Sequence, residues 1–428
     1  MSYLNWGLGA LTALGLVCAC GSDNVGGTML VGGAGSGGSA VAGSSGSANA
    51  GSGGSSSGSG GKPASGGVSG SSGGVSGSAG AGGSGGAPVT CAPACSTDKA
   101  CIAGQCLPKP VELTRAPGCG NMFLALNKGT LYFTDSAHGF VKSIATTGGP
   151  ETTIASGQKL PYAITVDDTN VYWSNTSTTA ATAADNTIMM AALSKGTPTK
   201  ITDVDQSTAQ TGKTTPVLGL TLDGKGALYF GDQATLMKVD AKPASTASKI
   251  GSFEGNPTVI VVTPTRIFTT LGLDNAVQWR NPDPANSGCA DPVARPMGST
   301  VGGCAFIESQ GQLLFNALTL AGTQIIWANS NTLNSADTMV PATMQGTGHT
   351  ITSNDSGNNI TGFANNATTV YFGETKSGII EKASLPDGDP VILVKDPDNE
   401  KAPSSFVIDA TNVYWRTDDT CAIMKLAL

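Results

Sequence analysis

The stretch VDDTNVYWSN, residues 166–175, returns later in the chain as IDATNVYWRT, residues 408–417. In both copies a polar group of Asp, Thr and Asn separates two apolar segments, and the second segment carries Tyr and Trp. Asp and Asn tolerate the backbone angles of tight turns, and period-two alternation is typical of strands. The stretch therefore predicts a hairpin with strands over 163–166 and 171–174, in which Tyr172 and Trp173 point to opposite faces.

The aromatic half of this stretch recurs along the chain. Seven copies are found: TLYFTD from 130, NVYWSN from 170, ALYFGD from 227, RIFTT from 266, QLLFNA from 312, TVYFGE from 369 and NVYWRT from 412. A third segment follows most copies, and for the fifth copy we expect it at TQIIWAN, from 323. From Tyr132 to Tyr414 the mean spacing of the copies is 47 residues.

This spacing is close to the roughly 40–45 residues of a four-stranded propeller blade. Residues 107–428 are therefore predicted to form an all-β domain, a single β-propeller in which Tyr172 and Trp173 pack between neighbouring blades. The best number of blades is seven, with a range of six to eight because the copies at Ile267 and Leu314 lack the Tyr.

The segments LYFTD, VYWSN, LYFGD, VYFGE and VYWRT resemble the Tyr-Trp-Thr-Asp repeat of propellers in lipoprotein-receptor ectodomains. They also resemble bacterial extracellular propellers of the YWTD-like and NHL-like kinds. The resemblance implies a binding or scaffold module for a protein, peptide or glycan. The sparse chemical motifs described below lead us to name no catalytic residue. An alternative is a metal-dependent propeller enzyme, similar to a lactonase or lyase, with its site in the central channel.

The last copy predicts how the ring closes. Its first three strands are expected at 406–409, 413–416 and 422–427, with no fourth strand after them. An uncovered strand edge has to be paired or protected. The segment PVELTR, residues 110–115, precedes the first copy and has no partner of its own, so we expect it to supply the missing strand.

The N-terminus resembles a bacterial lipoprotein signal. An apolar run over 8–17 is followed by VCACGSD, and Cys20 is the preferred lipidation site because the small Ala19 precedes it. Cys18 is the alternative, and the lack of Lys or Arg in MSYLNWG departs from such signals. Residues 1–20 are thus expected to be a signal peptide. The Gly-, Ser- and Ala-rich residues 21–90 are expected to be a disordered tether. The predicted location is the outer membrane or cell surface of a Gram-negative bacterium.

Eight cysteines then remain of the ten. Four of them form a predicted disulfide-rich mini-module over 91–106, with their connectivity open: Cys91, Cys95, Cys101 and Cys106. Two disulfides are favoured there over a zinc site, because the spacing has no C-x2-C pair and no nearby His. Cys289 and Cys304 flank one loop and are expected to pair. Cys119 would then pair with Cys421 and lock the ring.

Chemical motifs are sparse. The chain has only two histidines: His138 in a predicted hairpin tip, and His349 in a loop without an obvious acid beside it. DPDNE at 396–400 could bind calcium but lacks the Gly and distal Glu of a calcium loop, and Asp135 or Asp232 could reach a central-channel metal. We therefore predict no cofactor and no metal ligand. The net charge of −7, without basic runs, argues against a nucleic-acid partner, and we expect a monomer.

Overall fold

The computed structural model describes residues 91–428, with gaps at 103, 119, 121, 177–184, 195, 205–216, 253–256, 272–275, 283–303, 309–317, 340–347, 354–357, 375–377 and 396–401. Several predictions lie outside the described residues: the signal peptide, the tether, Cys18, Cys20, Cys119, Cys289 and the DPDNE segment. The side chain of Cys304 lies outside them as well. Within the described ranges, no helix is long and apolar enough to cross a membrane.

Every regular element of the described residues is a β-strand. β1 (Lys99–Ile102) and β2 (Gln105–Pro108) form a hairpin in the predicted mini-module. The other strands form seven four-stranded antiparallel sheets, so the predicted all-β, seven-bladed propeller is confirmed.

The strands of each blade are given from the innermost to the outermost. Blade 1 contains β4 (Leu124–Asn127), β5 (Thr130–Asp135), β6 (Phe140–Ala145) and β7 (Thr152–Ala155); blade 2 contains β8 (Pro161–Val166), β9 (Asn170–Asn175), β10 (Thr187–Ala192) and β11 (Thr199–Asp203). Blade 3 contains β12 (Leu220–Leu222), β13 (Ala227–Asp232), β14 (Thr235–Asp240) and β15 (Ser248–Ser252); blade 4 contains β16 (Pro257–Val262), β17 (Ile267–Leu271), β18 (Ala276–Arg280) and β19 (Cys304–Glu308).

The remaining blades follow the same plan. Blade 5 contains β20 (Leu318–Ala321), β21 (Gln324–Asn329), β22 (Thr332–Asp337) and β23 (His349–Ser353); blade 6 contains β24 (Ile360–Asn365), β25 (Thr369–Glu374), β26 (Ile379–Ser384) and β27 (Val391–Lys395). Blade 7 contains β28 (Pro403–Ile408), β29 (Asn412–Thr417), β30 (Ala422–Ala427) and β3 (Val111–Arg115). The seven innermost strands each contact the next, and β28 contacts β4, so the ring is closed.

Because the strands of each blade alternate in direction, the connections divide between two faces. The loop face carries the connections from second to third strand and from each fourth strand to the next blade. The turn face carries the hairpins from first to second strand and the connections from third to fourth strand. β3 runs antiparallel to β30, so the chain enters blade 7 at the turn face.

The predicted closing strand is confirmed. In β3, Val111 lies opposite Lys425 and Arg115 lies opposite Ala422, which completes blade 7 from the other end of the chain. The backbone N–H of Ala116 adds a 3.0 Å hydrogen bond to the carbonyl of Cys421. Cys421 is disulfide-bonded, but its predicted partner, Cys119, lies outside the described residues, so this pairing stays a prediction.

The repeated phrase is the hairpin between the first and second strands. In blade 2, Asp167 Oδ1 accepts the backbone N–H groups of Thr169 and Asn170, both at 2.7 Å, and Oδ2 accepts the Tyr172 hydroxyl at 2.8 Å. Burial raises the pKa of Asp167, but these hydrogen bonds outweigh it and hold the pKa below its usual range. Burial and the Asp167 hydrogen bond together raise the pKa of Tyr172. The phrase is therefore a capped turn that fixes the start of the second strand.

The two aromatic residues of β9 pack against different neighbours, as predicted. Trp173 lies in a cluster with Phe123 and Val141 of the blade 1 side. Tyr172 lies in a cluster with Leu220 and Phe230 of blade 3. Both rings are almost fully buried, and burying a large side chain contributes roughly 1.5–3 kcal/mol. These residues therefore hold blades together, which matches the interpretation of the aromatics as core.

The predicted strand assignment of blade 5 is wrong. TQIIWAN was expected to be the third strand, but Gln324–Asn329 is the second strand, and Trp327 takes the position of Trp173. The expected second strand at Leu314 lies outside the described residues. The error arose because QLLFNA, from 312, shows the same apolar alternation, whereas TQIIWAN has neither the Asp-containing turn nor the Tyr that mark the second strands of blades 2, 3 and 7.

The mini-module forms two disulfides, as predicted, and their connectivity is now defined. Cys91 pairs with Cys101 and Cys95 pairs with Cys106. These four cysteines therefore have no thiolate to offer a metal. Strands β1 and β2 both contact β27, so the module lies against the outer strand of blade 6.

Candidate functional site

On the loop face, the second strand of each of six blades ends in a buried polar residue. These residues are Asp135, Asn175, Asp232, Asn329, Glu374 and Thr417, and none is more than 8% exposed. A strand that ends in a tight turn leaves backbone N–H groups without ladder partners, and a polar side chain at this position can accept them. The repeat therefore concentrates buried hydrogen-bonding groups beneath the loop face.

In blade 1 this residue orients a histidine. Both carboxylate oxygens of Asp135 lie 2.9 Å from His138 Nδ1, and Oδ1 also accepts the backbone N–H of His138 at 3.2 Å. A carboxylate only accepts hydrogen bonds, so Nδ1 carries a proton and donates it. With the imidazole neutral, Nε2 remains an acceptor.

The surroundings of His138 leave that acceptor near the surface. The His138 side chain is 35% exposed while that of Asp135 is 1% exposed. Gly118 lies beside the ring, and a methyl group there would come 3.3 Å from Cε1 and 3.6 Å from Nε2. The absence of a side chain at position 118 thus keeps the outer edge of the imidazole clear.

A second group of polar residues adjoins His138 across the boundary with blade 2. Trp173 Nε1 donates to Gln158 Oε1 at 3.0 Å, and Asn175 Nδ2 donates to the same oxygen at 3.1 Å. Indole N–H is only a donor, so the Gln158 atom that it meets must be the oxygen. The Asn175 atom that meets this oxygen must then be the amide nitrogen, which leaves Asn175 Oδ1 as the opposite atom.

Two buried polar atoms here have no hydrogen-bond partner within the part of the chain that the structure describes. They are Asn175 Oδ1 and Thr176 Oγ1, each in a residue that is 6% exposed. The backbone of Thr176 is engaged, because its N–H donates to the carbonyl of Lys159 at 2.9 Å. Native proteins pair most buried polar atoms, so each exception calls for an explanation.

A backbone contact joins the Asp135–His138 pair to the polar group around Gln158. Gln158 N–H donates to the carbonyl of Gly139 at 3.0 Å. Gly139 has a φ of +68°, and a side chain there would lie 2.5 Å from the Gln158 carbonyl oxygen, so the close approach requires glycine. We call Asp135, His138, Gln158, Asn175 and Thr176 the blade 1–2 polar cluster.

The first strand of blade 2 carries an aromatic residue at the boundary with blade 1. Tyr162 follows Pro161, which pairs with Asn175 in the sheet. The Tyr162 ring is half-buried, with its centroid 4.5 Å from that of Phe123. Its carbonyl accepts the hydroxyl of Thr134, the residue before Asp135, at 2.8 Å. Tyr162 therefore joins the start of blade 2 to blade 1 through both its ring and its backbone.

At the loop-face end of its second strand, blade 7 carries a buried ion pair in place of this polar cluster. Arg416 Nη1 donates to the carbonyl of Met122 at 3.0 Å, and Nη2 lies 2.7 Å from Asp418 Oδ1. Ser404 also donates to Asp418, at 2.7 Å. Burial raises the pKa of Asp418, and the positive charge of Arg416 opposes that rise. This buried ion pair joins blade 7 to the start of blade 1.

The central-channel metal hypothesis gains no support from the described residues. Asp135 is engaged by His138, and Asp232 occupies the equivalent strand end two blades away. Among the described residues, the only group of three His, Cys, Asp or Glu side chains at metal-binding separation is Cys91, Cys95 and Cys106. All three are in disulfides.

The prediction for His349 is wrong in one respect. It begins the outer strand of blade 5 near the turn face, and its Nε2 contacts Asp387 Oδ1 of blade 6, so an acid does lie beside it. The acid was missed because it comes from the turn PDGDP, residues 386–390, and Asp387 follows His349 by 38 residues. A cleft of about 170 Å³ lies between these blades and is lined by Ile326, Ser335 and Leu385 among others.

The sequence pointed to Asp135 and His138 separately, and their contact was not predicted. It gave no reason to select Gln158, Asn175 or Thr176. One signal could have indicated the last two residues. The two copies of the opening phrase agree through NVYW and then diverge, to SNT at 174–176 and RTD at 416–418. The point of divergence is where the strand reaches the loop face.

Comparisons with known proteins show only the fold. No protein-family model matches the sequence, and no curated protein sequence matches it. A structure of catalytically inactive virginiamycin B lyase from Staphylococcus aureus with quinupristin is similar, with 12% identity, a TM-score of 0.55, and coverage of 75% of this chain and 99% of that one. Selenomethionine-substituted virginiamycin B lyase from the same organism gives the same identity and TM-score, with 98% of that chain covered. A chain of the mitotic checkpoint complex matches at 9% identity and a TM-score of 0.50, over 75% of this chain and 94% of that one.

Proposed function

We propose that this protein is a lipid-anchored cell-surface propeller that binds an extracellular or envelope ligand, a protein, peptide or glycan, through its loop face. The lipid would be attached at Cys20, and residues 21–90 would form the tether between the membrane and the mini-module. The observation that carries the binding role is the blade 1–2 polar cluster on the loop face, where Asp135 orients a partly exposed histidine near buried polar atoms that have no partner among the described residues.

The channel rims differ between the two faces. At the turn face, the first and second strands are joined by hairpins of two to four residues, as between Asn127 and Thr130. At the loop face, the connections that lead into the first strands have four to sixteen residues, the longest between Asp203 and Leu220. Binding residues in propellers and related scaffolds are carried by such connections on a rigid framework.

Site-specific photocrosslinking on the full chain tests the choice of face. A photoreactive residue at Ala137, exposed on the loop face, is compared with one at Lys225, exposed in a turn-face hairpin. Adducts with an envelope or extracellular molecule from position 137, and none from position 225, are expected. Adducts only from position 225 would overturn the proposed face, and adducts from neither would overturn the binding role.

Lipid attachment has its own test. Metabolic labelling with a radioactive or alkyne fatty acid should label the full chain, and Cys20→Ser should abolish both labelling and membrane fractionation. Cys18→Ser is the matched control and should retain both. Loss of labelling in Cys18→Ser alone would move the anchor to the alternative cysteine.

A further inference from the structure

We propose that the cleft between blades 5 and 6 is a second binding site. It takes one large apolar side chain of a protein or peptide partner together with a Lys or Arg next to that side chain. The cleft opens on the turn face, so this inference goes beyond the proposed function of the loop face. Its basis is a cavity whose two walls and rim are placed by the sheet register.

The wall from blade 5 is one face of its sheet. Gln324 and Ile326 of β21 line the cleft, and they lie opposite Asp337 and Ser335 of β22. Ser335 also lies opposite His349 of β23. Directly opposite residues of an antiparallel pair direct their side chains to the same face of the sheet. All five side chains therefore lie on the face that meets blade 6.

The wall from blade 6 consists of two connections that a hydrogen bond joins. Ala367 lies in the hairpin between β24 and β25, and Leu385 and Pro386 follow β26. The backbone N–H of Leu385 donates to the carbonyl of Thr368 at 2.8 Å. Leu385 also packs against the core cluster that contains Ile326. Both connections are thus fixed against the core between the two blades.

The size of the cleft suits a single side chain. Its volume of about 170 Å³ is near that of an apolar cavity of roughly 150 Å³ that holds a benzene ring. Sites for drug-sized ligands are larger, at roughly 300–1,000 Å³. Five of the seven described lining residues are Ala, Ile, Leu or Pro. A side chain of the size of Leu or Phe matches both the volume and the apolar lining.

Two polar side chains in the cleft suit the backbone of a peptide. Ser335 is only 3% exposed and lines the cleft. Within the part of the chain that the structure describes, neither its hydroxyl nor the side-chain amide of Gln324 makes a hydrogen bond. Both groups donate and accept hydrogen bonds, and each peptide unit offers an N–H and a carbonyl. A peptide anchored in the cleft therefore supplies partners for both.

The rim of the cleft carries carboxylates. Asp387 follows Pro386, and its side chain is 64% exposed although Oδ1 contacts His349 Nε2. A carboxylate has about four lone-pair sites, so Asp387 retains acceptor capacity for a cation. Asp337 lies opposite Gln324, and Asp389 is exposed in the same turn as Asp387.

Two basic side chains of adjoining elements are engaged away from this rim. Lys382 of β26 lies opposite Tyr371, which packs on the blade 7 side. Arg266 of blade 4 lies 3.9 Å from the centroid of the Trp279 ring and donates to the carbonyl of Thr338 at 2.8 Å. A Lys or Arg beside the anchoring side chain therefore meets carboxylates, and such charge complementarity favours partners with this pair of residues.

Exposed apolar side chains on the same face favour a protein partner over a free small molecule. Within the described ranges, four large apolar side chains are exposed: Val111, Met339, Val391 and Leu428. Each follows a third strand or begins a fourth strand of blade 5, 6 or 7, which places it at the turn face. Apolar residues gathered on one side mark interaction surfaces, whereas single scattered ones are ordinary.

The test is an array of short peptides, capped at both ends, probed with the full chain carrying Cys20→Ser. Peptides with Leu or Phe next to Lys are compared with versions in which Glu replaces the Lys or Ala replaces the apolar residue. Calorimetry then measures the affinities of the peptides that bind. Peptides with both residues are expected to bind at least about fivefold more tightly than either altered version.

Two protein variants assign this binding to the cleft. Ala367→Phe places a ring at the cleft from an exposed hairpin position, and it should weaken binding more than about tenfold, the contribution of one buried large apolar side chain. Asp387→Asn keeps the shape of the side chain and removes its charge. It should weaken binding about two- to fivefold, as expected for an exposed ion pair.

Each variant has a matched control. Ala410→Phe makes the same change at the same position of the blade 7 hairpin, where Ala410 is also exposed. Asp240→Asn removes a turn-face carboxylate of blade 3 whose side chain is 60% exposed. Both controls should bind within about twofold of the parent protein. Thermal melts of the four variants show whether each is folded before affinities are compared.

The outcomes separate the ligand class from the site. If no capped peptide binds, or if the Lys and Glu versions bind alike, the ligand class is wrong. If peptides bind but Ala367→Phe behaves like Ala410→Phe, the site is wrong. If Asp387→Asn behaves like Asp240→Asn, the acidic rim does not select the cation. Crosslinking from position 137 on the loop face is a separate measurement, so failure here leaves the proposed function standing.

Discussion

The Tyr414 hydroxyl donates a 2.7 Å hydrogen bond to Asp409 Oδ2, and it repeats in blade 7 the bond that joins Tyr172 to Asp167 in blade 2. In both blades, the opposite oxygen of the Asp accepts two backbone N–H groups of the turn. Each Asp thus ties the hairpin to the second strand. This relationship can be tested at several points.

Tyr414→Phe should lower the free energy of unfolding by about 1 kcal/mol, because it deletes one hydrogen bond and keeps the buried ring. Urea denaturation measures the change. Tyr371→Phe is the control: it occupies the same strand position in blade 6, where Asn366 caps the turn through Thr368 and Thr369. No hydrogen bond joins the Tyr371 hydroxyl to Asn366 in the described structure, so an equal loss in both variants would contradict the assigned role.

Acid should destabilise the protein through these two turns. The pKa values of Asp167 and Asp409 are held below their usual range in the folded state, against about 3.9 in an unfolded chain. Their contribution to stability is therefore present above the unfolded value and is lost as pH falls through the folded value. Thermal melts between about pH 7 and pH 3 should show a flatter acid slope for the Asp167→Asn, Asp409→Asn double variant than for the parent protein. Parallel slopes would show that other carboxylates dominate.

The predicted disulfide between Cys119 and Cys421 should stabilise the fold more than the predicted disulfide between Cys289 and Cys304. The chain-entropy model gives above about 4.7 kcal/mol for the long loop and about 3 kcal/mol for the short one, before strain is subtracted. Replacing each pair by Ser and measuring denaturation should reproduce this order. Non-reducing peptide mapping provides the direct check, and a peptide that links Cys119 to Cys289 or Cys304 would contradict the pairing.

Arg416→Ala should lower the free energy of unfolding by about 3 kcal/mol, because it leaves the Asp418 carboxylate buried without its cation. Arg416→Ala combined with Asp418→Ala should cost less than the sum of the two single variants, since the uncompensated charge is removed with its partner. The pKa of Asp418, already raised by burial, should rise further in the single variant, so the loss should shrink as pH falls. Additive losses in this double-mutant cycle would show that the pair is not coupled.

The sequence was sufficient for the fold where local chemistry repeats. The alternating apolar and aromatic segments predicted six of the seven second strands, because strand periodicity depends on neighbouring residues. The lack of a fourth strand in the last copy predicted the strand that closes blade 7. Blade 5 failed because QLLFNA, from 312, carries the same alternation and the actual second strand, Gln324–Asn329, has no Tyr.

The candidate site was less predictable for a physical reason. Gln158 lies between blades and reaches Trp173 and Asn175 only after blades 1 and 2 have packed. Asp387 reaches His349 in the same way, from the next blade. Neither contact follows a local period, so only the assembled ring brings these side chains together.

The strand order of blade 7 also sets an order in time. Val111 is made long before Lys425, its partner, so a nascent chain that leaves the ribosome or crosses a membrane N-terminus first carries β3 as an unpaired strand while six blades emerge behind it. Pairing over so long a stretch of chain is slow, because the loop has to close before any contact is gained. The ring can close only after β30 has been made, and until then the unpaired β3 can pair with a foreign strand edge.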